Sequence, residues 1–480
     1  MAQGALSPIP YPAHPIHVAD QQLRLGDELE TACTALDEAG AGLAQVASGH
    51  ETLHVHIAGA LPGERVRICL DHVSVHSSAS AREAWASLRK VLAPSCHRVT
   101  PSCPAYGACG GCTLMALAYP EQLAWKRERV LTQFSRFPAL ATLTVEPCVR
   151  SPHLLGYRNQ AKYVFGRARD SGQPVLGAFA PRSHDVVDLA GCQVVEPVLD
   201  EARQALLTVL TEKAVEPFDE IRRTGLLRYA VLRATALGQV MVTLVTVRSD
   251  WGDAKAVAAD LCRRCPAVTS VVLNVNESSG NALFGEQESA LVGQSSVEDT
   301  IGDVCVRLSA RSFFQTNRLV ASQIYRDLVA AAPDGISRAV DVYAGACGIA
   351  LSLAVKAGEV VAIEENPAAT QAAAAFLAEP GPHEGRVRVL TGDAAACLAE
   401  VSDADFVVLN PPRKGCSPEV LAAVARLRPK ALAYLSCDPR TLARDLAALA
   451  QAGAQVVKVT PFDMMPHTPH VETLVLVGFA

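Results

Sequence analysis

In Tyr434-Leu435-Ser436-Cys437-Asp438-Pro439 a thiol follows an apolar run and precedes a proline. The run predicts a strand, and a helix is expected to start at Arg440 or Thr441. Cys437 would then stand at a helix N-terminus, where the partial positive charge favours a thiolate. A thiolate is a nucleophile. Glu472, in His470-Val471-Glu472-Thr473, lies beside an apolar C-terminal strand and is a candidate general base. A cysteine after a strand is more often structural, and a single glutamate reads equally well as a surface acid. Other constellations in the chain raise the standing of both.

Cys103, Cys109, Cys112 and the more distant Cys192 form the first of these. Three thiols within ten residues, two of them separated by Gly-Gly, let one loop wrap a single centre. Four thiolates suit zinc or an iron–sulfur cluster, and spacing does not choose between them. Cys262 and Cys265 lie in a helix-like stretch with no further ligands nearby and read as structural. A third constellation is Val340-Asp341-Val342-Tyr343-Ala344-Gly345, an apolar strand running into a glycine turn. The next strand ends at Glu364, placed where a carboxylate accepts the ribose hydroxyls of a nucleoside cofactor. A NAD site has the same layout. In Leu409-Asn410-Pro411-Pro412-Arg413-Lys414-Gly415 a strand stops at two prolines, which displays Asn410 at the strand's carboxyl end.

These residues need a frame that brings strand ends together. From residue 311 onward, short apolar strands at 338–343, 360–363, 386–390, 406–409, 431–435 and 456–459 alternate with alanine-rich helical stretches. That alternation predicts an α/β domain with a parallel, doubly wound, Rossmann-like sheet. Residues 79–310 mix helical spacing at 122–134 with two strands joined around Gly238, an α+β pattern. Residues 18–78 carry short alternating runs and regular glycine turns, as a small OB-like β-barrel does. Residues 1–17 are expected to be a flexible leader without a secretory signal.

The 480 residues are enough for two to four domains. No apolar run reaches the ~18 residues of a membrane span, so no membrane partner and a cytoplasmic location are expected. Fifteen cysteines, an odd number scattered through apolar segments, do not read as a disulfide scaffold. Net charge is −6, which argues mildly against a nucleic-acid partner. Residues 126–170 reverse that locally, with nine Lys or Arg against three acids. Such a patch is either a solvated face or a phosphate-contacting one. No coiled coil or repeated apolar surface is visible, and a monomer is expected.

Taken together, these strings resemble the RNA uracil-5-methyltransferase family, in particular its iron–sulfur branch, which includes bacterial 23S ribosomal RNA enzymes. The resemblance rests on residues 103–112, Gly156-Tyr157-Arg158-Asn159, Phe313-Phe314-Gln315-Thr316-Asn317, 341–345, 410–415, 436–446 and 463–473. The glycine pattern of 37–46 and 57–66 is similar to the TRAM domain, although this stretch is acidic. The resemblance implies a [4Fe–4S] cluster on Cys103, Cys109, Cys112 and Cys192. It implies contacts to S-adenosyl-L-methionine (SAM) from Gln315, Tyr343 and Glu364, with Asn410 beside the cofactor. It also implies Cys437 as nucleophile, Glu472 as base, and Phe313 as the aromatic near the target base. The implied partner is RNA, ribosomal RNA first and tRNA second. Two departures stand out. Cys347 replaces the second glycine of the cofactor turn and is expected to crowd the methionine part of SAM. Asn410 replaces the family's Asp and is expected to weaken cofactor binding or slow the reaction. An RNA-binding relative that has lost SAM is the competing reading, against which the intact Cys437, Glu472 and Gln315 argue. An iron–sulfur redox protein would need a flavin or electron-partner sequence, and none is visible.

Overall fold

A computed structural model describes residues 22–479 apart from 79, 80, 170, 281, 380–382 and 384. The expected leader at 1–17 lies outside the described residues. The described residues from 22 to 102, with 111–121, form one compact unit, and 103–110 with those from 122 to 479 form a second.

The first unit is built on β1 (Glu28–Ala32), β2 (Ala35–Leu36), β3 (Gly42–Ser48), β4 (Glu51–Ala58), β5 (Arg65–Ser78) and β6 (Ala81–Ala93). They make one sheet in the order β1-β5-β6-β4-β3-β2. Alternation along β3 and β4 buries Ala44, Val46, Leu53, Val55 and Ile57 on one face, the period-two pattern of a half-covered sheet. The sheet continues past residue 78, because β6 pairs with both β4 and β5.

The second unit holds α1 (Tyr119–Phe134) from Gln122 onward and a seven-stranded sheet. That sheet holds β7 (Gln160–Arg167), β8 (Pro174–Phe179), β9 (Val186–Asp188), β10 (Leu227–Ala234), β11 (Val240–Thr246), β12 (Val268–Val275) and β13 (Gln287–Val292). Helices α2 (Pro197–Glu212) and α3 (Ala254–Arg264) share its core. The hairpin β14 (Ser296–Ile301) and β15 (Val304–Ser309) buries Val297, Ile301, Val306 and Leu308 with the C-terminal core. By packing it therefore goes with the residues after 310.

The C-terminal part runs α4 (Arg318–Ala331), β16 (Arg338–Val342), α5 (Gly348–Leu353), β17 (Glu359–Glu364), α6 (Pro367–Leu377), β18 (Val387–Thr391) and α7 (Ala394–Ala399). It continues with β19 (Phe406–Leu409), α8 (Pro418–Leu427), β20 (Ala431–Ser436), α9 (Pro439–Gln451), β21 (Ala454–Phe462) and β22 (Glu472–Phe479). The sheet order is β18-β17-β16-β19-β20-β22-β21. Strands β16 to β20 are parallel and near-continuously apolar, as strands covered on both faces must be. The sheet is not parallel throughout, as the alternation alone predicts. A nine-residue connection, 463–471, joins β21 to β22, and so short a link permits only an antiparallel pair. Strand β22 then inserts antiparallel beside β20.

Candidate active site

The register of the last strands positions the two reactive groups. Ser436 of β20 pairs with Thr473 of β22 in antiparallel sense. The residue after Ser436 and the residue before Thr473 are therefore neighbours, and these are Cys437 and Glu472. Glu472 is buried and Cys437 half-buried. Burial pushes the Glu472 carboxyl up to about 8, opposed by the charge of Arg413. Burial pushes the Cys437 thiol up to about 11, and Glu472 adds to the rise while Arg413 opposes it. The expected lowering by the helix N-terminus is overturned. The Asp438 carboxylate caps α9 by accepting from Arg440 N–H at 2.9 Å, so it adds a negative charge beside the thiol. At rest the pair is protonated, and Arg413 is the cation that favours ionisation of both members.

Around this pair the chain is held by polar contacts. Asn159 donates from Nδ2 to the Gln315 carbonyl at 3.0 Å. Asn317 caps α4 and donates from Nδ2 to Ser151 Oγ at 3.0 Å and to the Met464 carbonyl at 3.1 Å. The Gly156–Asn159 string therefore lies on the Phe313–Asn317 string, two motifs that are 150 residues apart in the chain. Gln315 is buried, whereas Phe313 is 71% exposed with its ring available for stacking. The His470 imidazole is held down at about 4 by burial and by the cations Arg413, Lys126, Arg129 and Arg158. The site is thus neutral at its centre and cationic around it.

The cofactor turn follows β16. Val342 pairs with Leu409, so Tyr343 and Asn410 leave the sheet side by side where the strand order reverses, the usual place for a ligand in such folds. Tyr343 and Cys347 both adopt left-handed backbone, with φ of 68° and 61°. Glu364 accepts from Gly345 N–H and from Asn366 N–H, each at 2.9 Å, which fixes both carboxylate oxygens. Asp341 accepts from Ala350 N–H at 2.9 Å beneath the turn, and its other oxygen has no hydrogen-bond partner. Burial pushes its carboxyl up to about 7. A cavity of about 280 Å³ opens beside Tyr343, Ile363, Asp393, Cys416, Val420 and Arg444, at the lower end of the size range of small-molecule sites. The Cys347 side chain lies in the core cluster, 1% exposed, and does not line that cavity. Neither do Glu364, Gln315 and Asn410.

Sequence reasoning left Arg413, Asp393 and Asp445 unassigned. Asp393 repeats the pattern of a strand ending in an acid, which could have flagged it. Asp445 is fully buried and accepts from Cys416 N–H at 2.8 Å and Tyr434 O–H at 2.6 Å. It ties α9 and β20 to the loop that carries Arg413.

Cys103, Cys109, Cys112 and Cys192 form no disulfide and are partly exposed. Cys103, Cys109 and Cys192 belong to the second unit, where Cys192 feels the charges of the other two. Among the described residues no three His, Cys, Asp or Glu are gathered as a metal ion would require. No helix among them is long and apolar enough to cross a membrane.

A doubly wound sheet with β22 inserted beside β20, a glycine turn after its first strand and an acid at the end of its second has the layout of an enzyme that binds a nucleoside cofactor. Residues 398–478 match the family described as tRNA (Uracil-5-)-methyltransferase. An uncharacterized RNA methyltransferase of Geobacter sulfurreducens is 38% identical over 94% of this chain and 90% of its own length. One from Halalkalibacterium halodurans is 32% identical over 88% and 91%. The crystal structure of a Pyrococcus abyssi tRNA (uracil-54, C5)-methyltransferase with S-adenosyl-L-homocysteine superposes with a TM-score of 0.71. It is 25% identical and is matched over 94% of this chain and all of that one. The chain belongs to the RNA methyltransferase family of these relatives and is a SAM-dependent RNA methyltransferase.

Proposed function

We propose that this enzyme methylates carbon 5 of a uridine in RNA. The observation that carries the reading is the adjacency of Cys437 and Glu472, with Cys437 at the same carboxyl edge of the sheet as the turn after β16. Carbon 5 of uracil is too electron-poor to attack a methyl donor directly. Cys437 first gives up its proton to solvent; its thiolate sulfur then adds to carbon 6, and the electron pair of the 5,6 double bond passes into an enolate that makes carbon 5 nucleophilic. Bound SAM supplies the methyl group as a sulfonium. Glu472, as carboxylate, then takes the proton from carbon 5, the double bond re-forms, and the carbon–sulfur bond breaks with its electron pair returning to Cys437. The uracil must leave its stack to reach the pair, and exposed Phe313 supplies a surface for it or its neighbour.

Ribosomal RNA is the proposed substrate, on the resemblance of the cysteine pattern to the branch that acts there. The resemblance also supports a [4Fe–4S] cluster on Cys103, Cys109, Cys112 and Cys192. The donor set suits such a cluster, whose proposed role is to order the protein. Iron and sulfide analysis of anaerobically purified protein tests it, and cluster-free protein of full activity would remove it. Methylation of tRNA is the second reading, favoured by the likeness along nearly the whole chain to a tRNA enzyme.

The deciding experiment is methyl transfer from labelled SAM to unmodified ribosomal RNA and tRNA, with wild type beside Cys437→Ala. Label in uridine carbon 5 of one RNA class, absent with Cys437→Ala, is the expected result. Label at another atom, or label that survives Cys437→Ala, would overturn the mechanism.

A further inference from the structure

The spacing of α1 suggests an ordinary amphipathic helix, yet the face it buries carries Gln122 and Lys126 together with Val130 and Phe134. Gln122, Lys126 and Arg129 fall four and three residues apart and so lie on one face of the helix. Buried polar side chains require partners, and all three find them in the loop 463–471. The His467 N–H donates to Gln122 Oε1 at 3.0 Å, and Gln122 Nε2 meets His467 Nδ1 at 3.2 Å. The amide can only donate there, so the imidazole at that contact is neutral with its proton on Nε2. Lys126 forms a fully buried ion pair with Asp463 and also donates to the Met465 carbonyl at 3.0 Å. Arg129 donates to the Pro469 carbonyl.

From other directions Tyr157 O–H donates to the Pro466 carbonyl at 3.0 Å, and Asn317 holds the Met464 carbonyl. Asp463 N–H donates to the Val149 carbonyl at 2.8 Å. His467 sits in left-handed backbone, φ 66°, a conformation that an L residue keeps only when its surroundings impose it. A buried ion pair adds little net stability over apolar packing of the same shape, but it fixes position. This much polar clamping on a nine-residue loop is therefore explained poorly by stability alone. What the loop delivers is its next residue, Glu472, opposite Cys437.

We propose that α1 is the positioning element of the proton-abstraction step: Gln122 through His467, and Lys126 through Asp463, hold the loop that sets the Glu472 carboxylate at carbon 5. The proposal rests on the uridine C5 chemistry above. In that chemistry Glu472 acts only after methyl transfer, when the C5 proton passes to its carboxylate and the electron pair of the C6–S bond returns to sulfur. A misplaced Glu472 therefore leaves nucleophilic addition and methyl transfer intact and stalls the enzyme as a covalent protein–RNA adduct. A residue that merely supports the fold would lower SAM binding and all steps together.

The test uses full-length Gln122→Ala and His467→Asn, the second because Asn tolerates left-handed backbone while lacking the ring. Wild type and Glu472→Gln are compared alongside, with the RNA that wild type methylates. Calorimetric SAM binding reports the integrity of the fold, and denaturant-resistant adduct is measured on gels after SAM addition. Expected are a SAM dissociation constant within about threefold of wild type, turnover lower by ~10–100-fold, and adduct approaching the level in Glu472→Gln. Unchanged turnover, or turnover lost with SAM binding and no adduct, overturns the positioning role. A Glu472→Gln protein that turns over without adduct overturns the base assignment itself, and the positioning proposal with it.

Discussion

Cys437 and Glu472 are neighbours because Ser436 and Thr473 are paired, an adjacency created by strand register between segments 35 residues apart. Their burial gives the reaction a pH signature. Glu472 must be ionised to take a proton, and its carboxyl is pushed up to about 8. Where proton abstraction limits, single-turnover formation of free product should rise about tenfold per pH unit below that value, and the dependence on Glu472 ends above it. The thiol, pushed up to about 11, adds a slope in the same direction to the addition step. Rapid-quench measurements across this range check the profile. A rate that is flat or falls between pH 6 and pH 8 would contradict the assignment of Glu472.

The same burial carries a stability cost with a definite sign. Between the ordinary 4.5 of a glutamate and about 8, the folded chain binds a proton at Glu472 that the unfolded chain has released. Stability contributed by this group therefore falls as pH rises through that window. Glu472→Gln removes the titration, so relative to wild type it should gain roughly 4 kcal/mol on going from about pH 5 to about pH 9. Paired denaturant melts at the two ends measure the difference.

Much of this arrangement is legible in the sequence. The six strands from β16 to β21 declare themselves because each is short, apolar and followed by a turn. Their carboxyl ends display Tyr343, Glu364, Asn410 and Cys437 by topology alone. What the sequence hides is pairing. Nothing in the spacing of β22 says that it lies between β20 and β21, and nothing in α1 says that its Gln and Lys face a loop more than 300 residues later. The ionisation of Cys437 is illegible for a related reason. The helix N-terminus is there as expected, but the Asp438 cap and the buried Glu472 act against it, and their positions exist only in the fold.

Phe313 is 71% exposed, whereas the other described Phe, Tyr and Trp residues are buried or half-buried. Phe313→Ala should leave the melting temperature unchanged, because no core packing is lost. Base stacking is worth roughly 1–3 kcal/mol, so KM for RNA should rise by about 10–100-fold with KM for SAM unaltered. Steady-state kinetics with each substrate varied in turn separates the two.

Cys347 occupies left-handed backbone at the start of α5, yet its side chain is packed in the core and away from the cavity. Cys347→Gly should relieve backbone strain while giving up a small buried side chain, two effects of roughly 1 kcal/mol and opposite sign. SAM affinity should stay within about threefold of wild type in calorimetry. A tenfold tightening would show that the thiol does reach the ligand.

The position of β22 also has a temporal meaning. β21 comes earlier in the chain but reaches the sheet only through β22. On the proposed chemistry, a chain whose sheet had assembled only as far as β20 would present its thiol while the acid that finishes the reaction was still unplaced. Docking of β22 would then convert a chain able to capture RNA into one able to let it go.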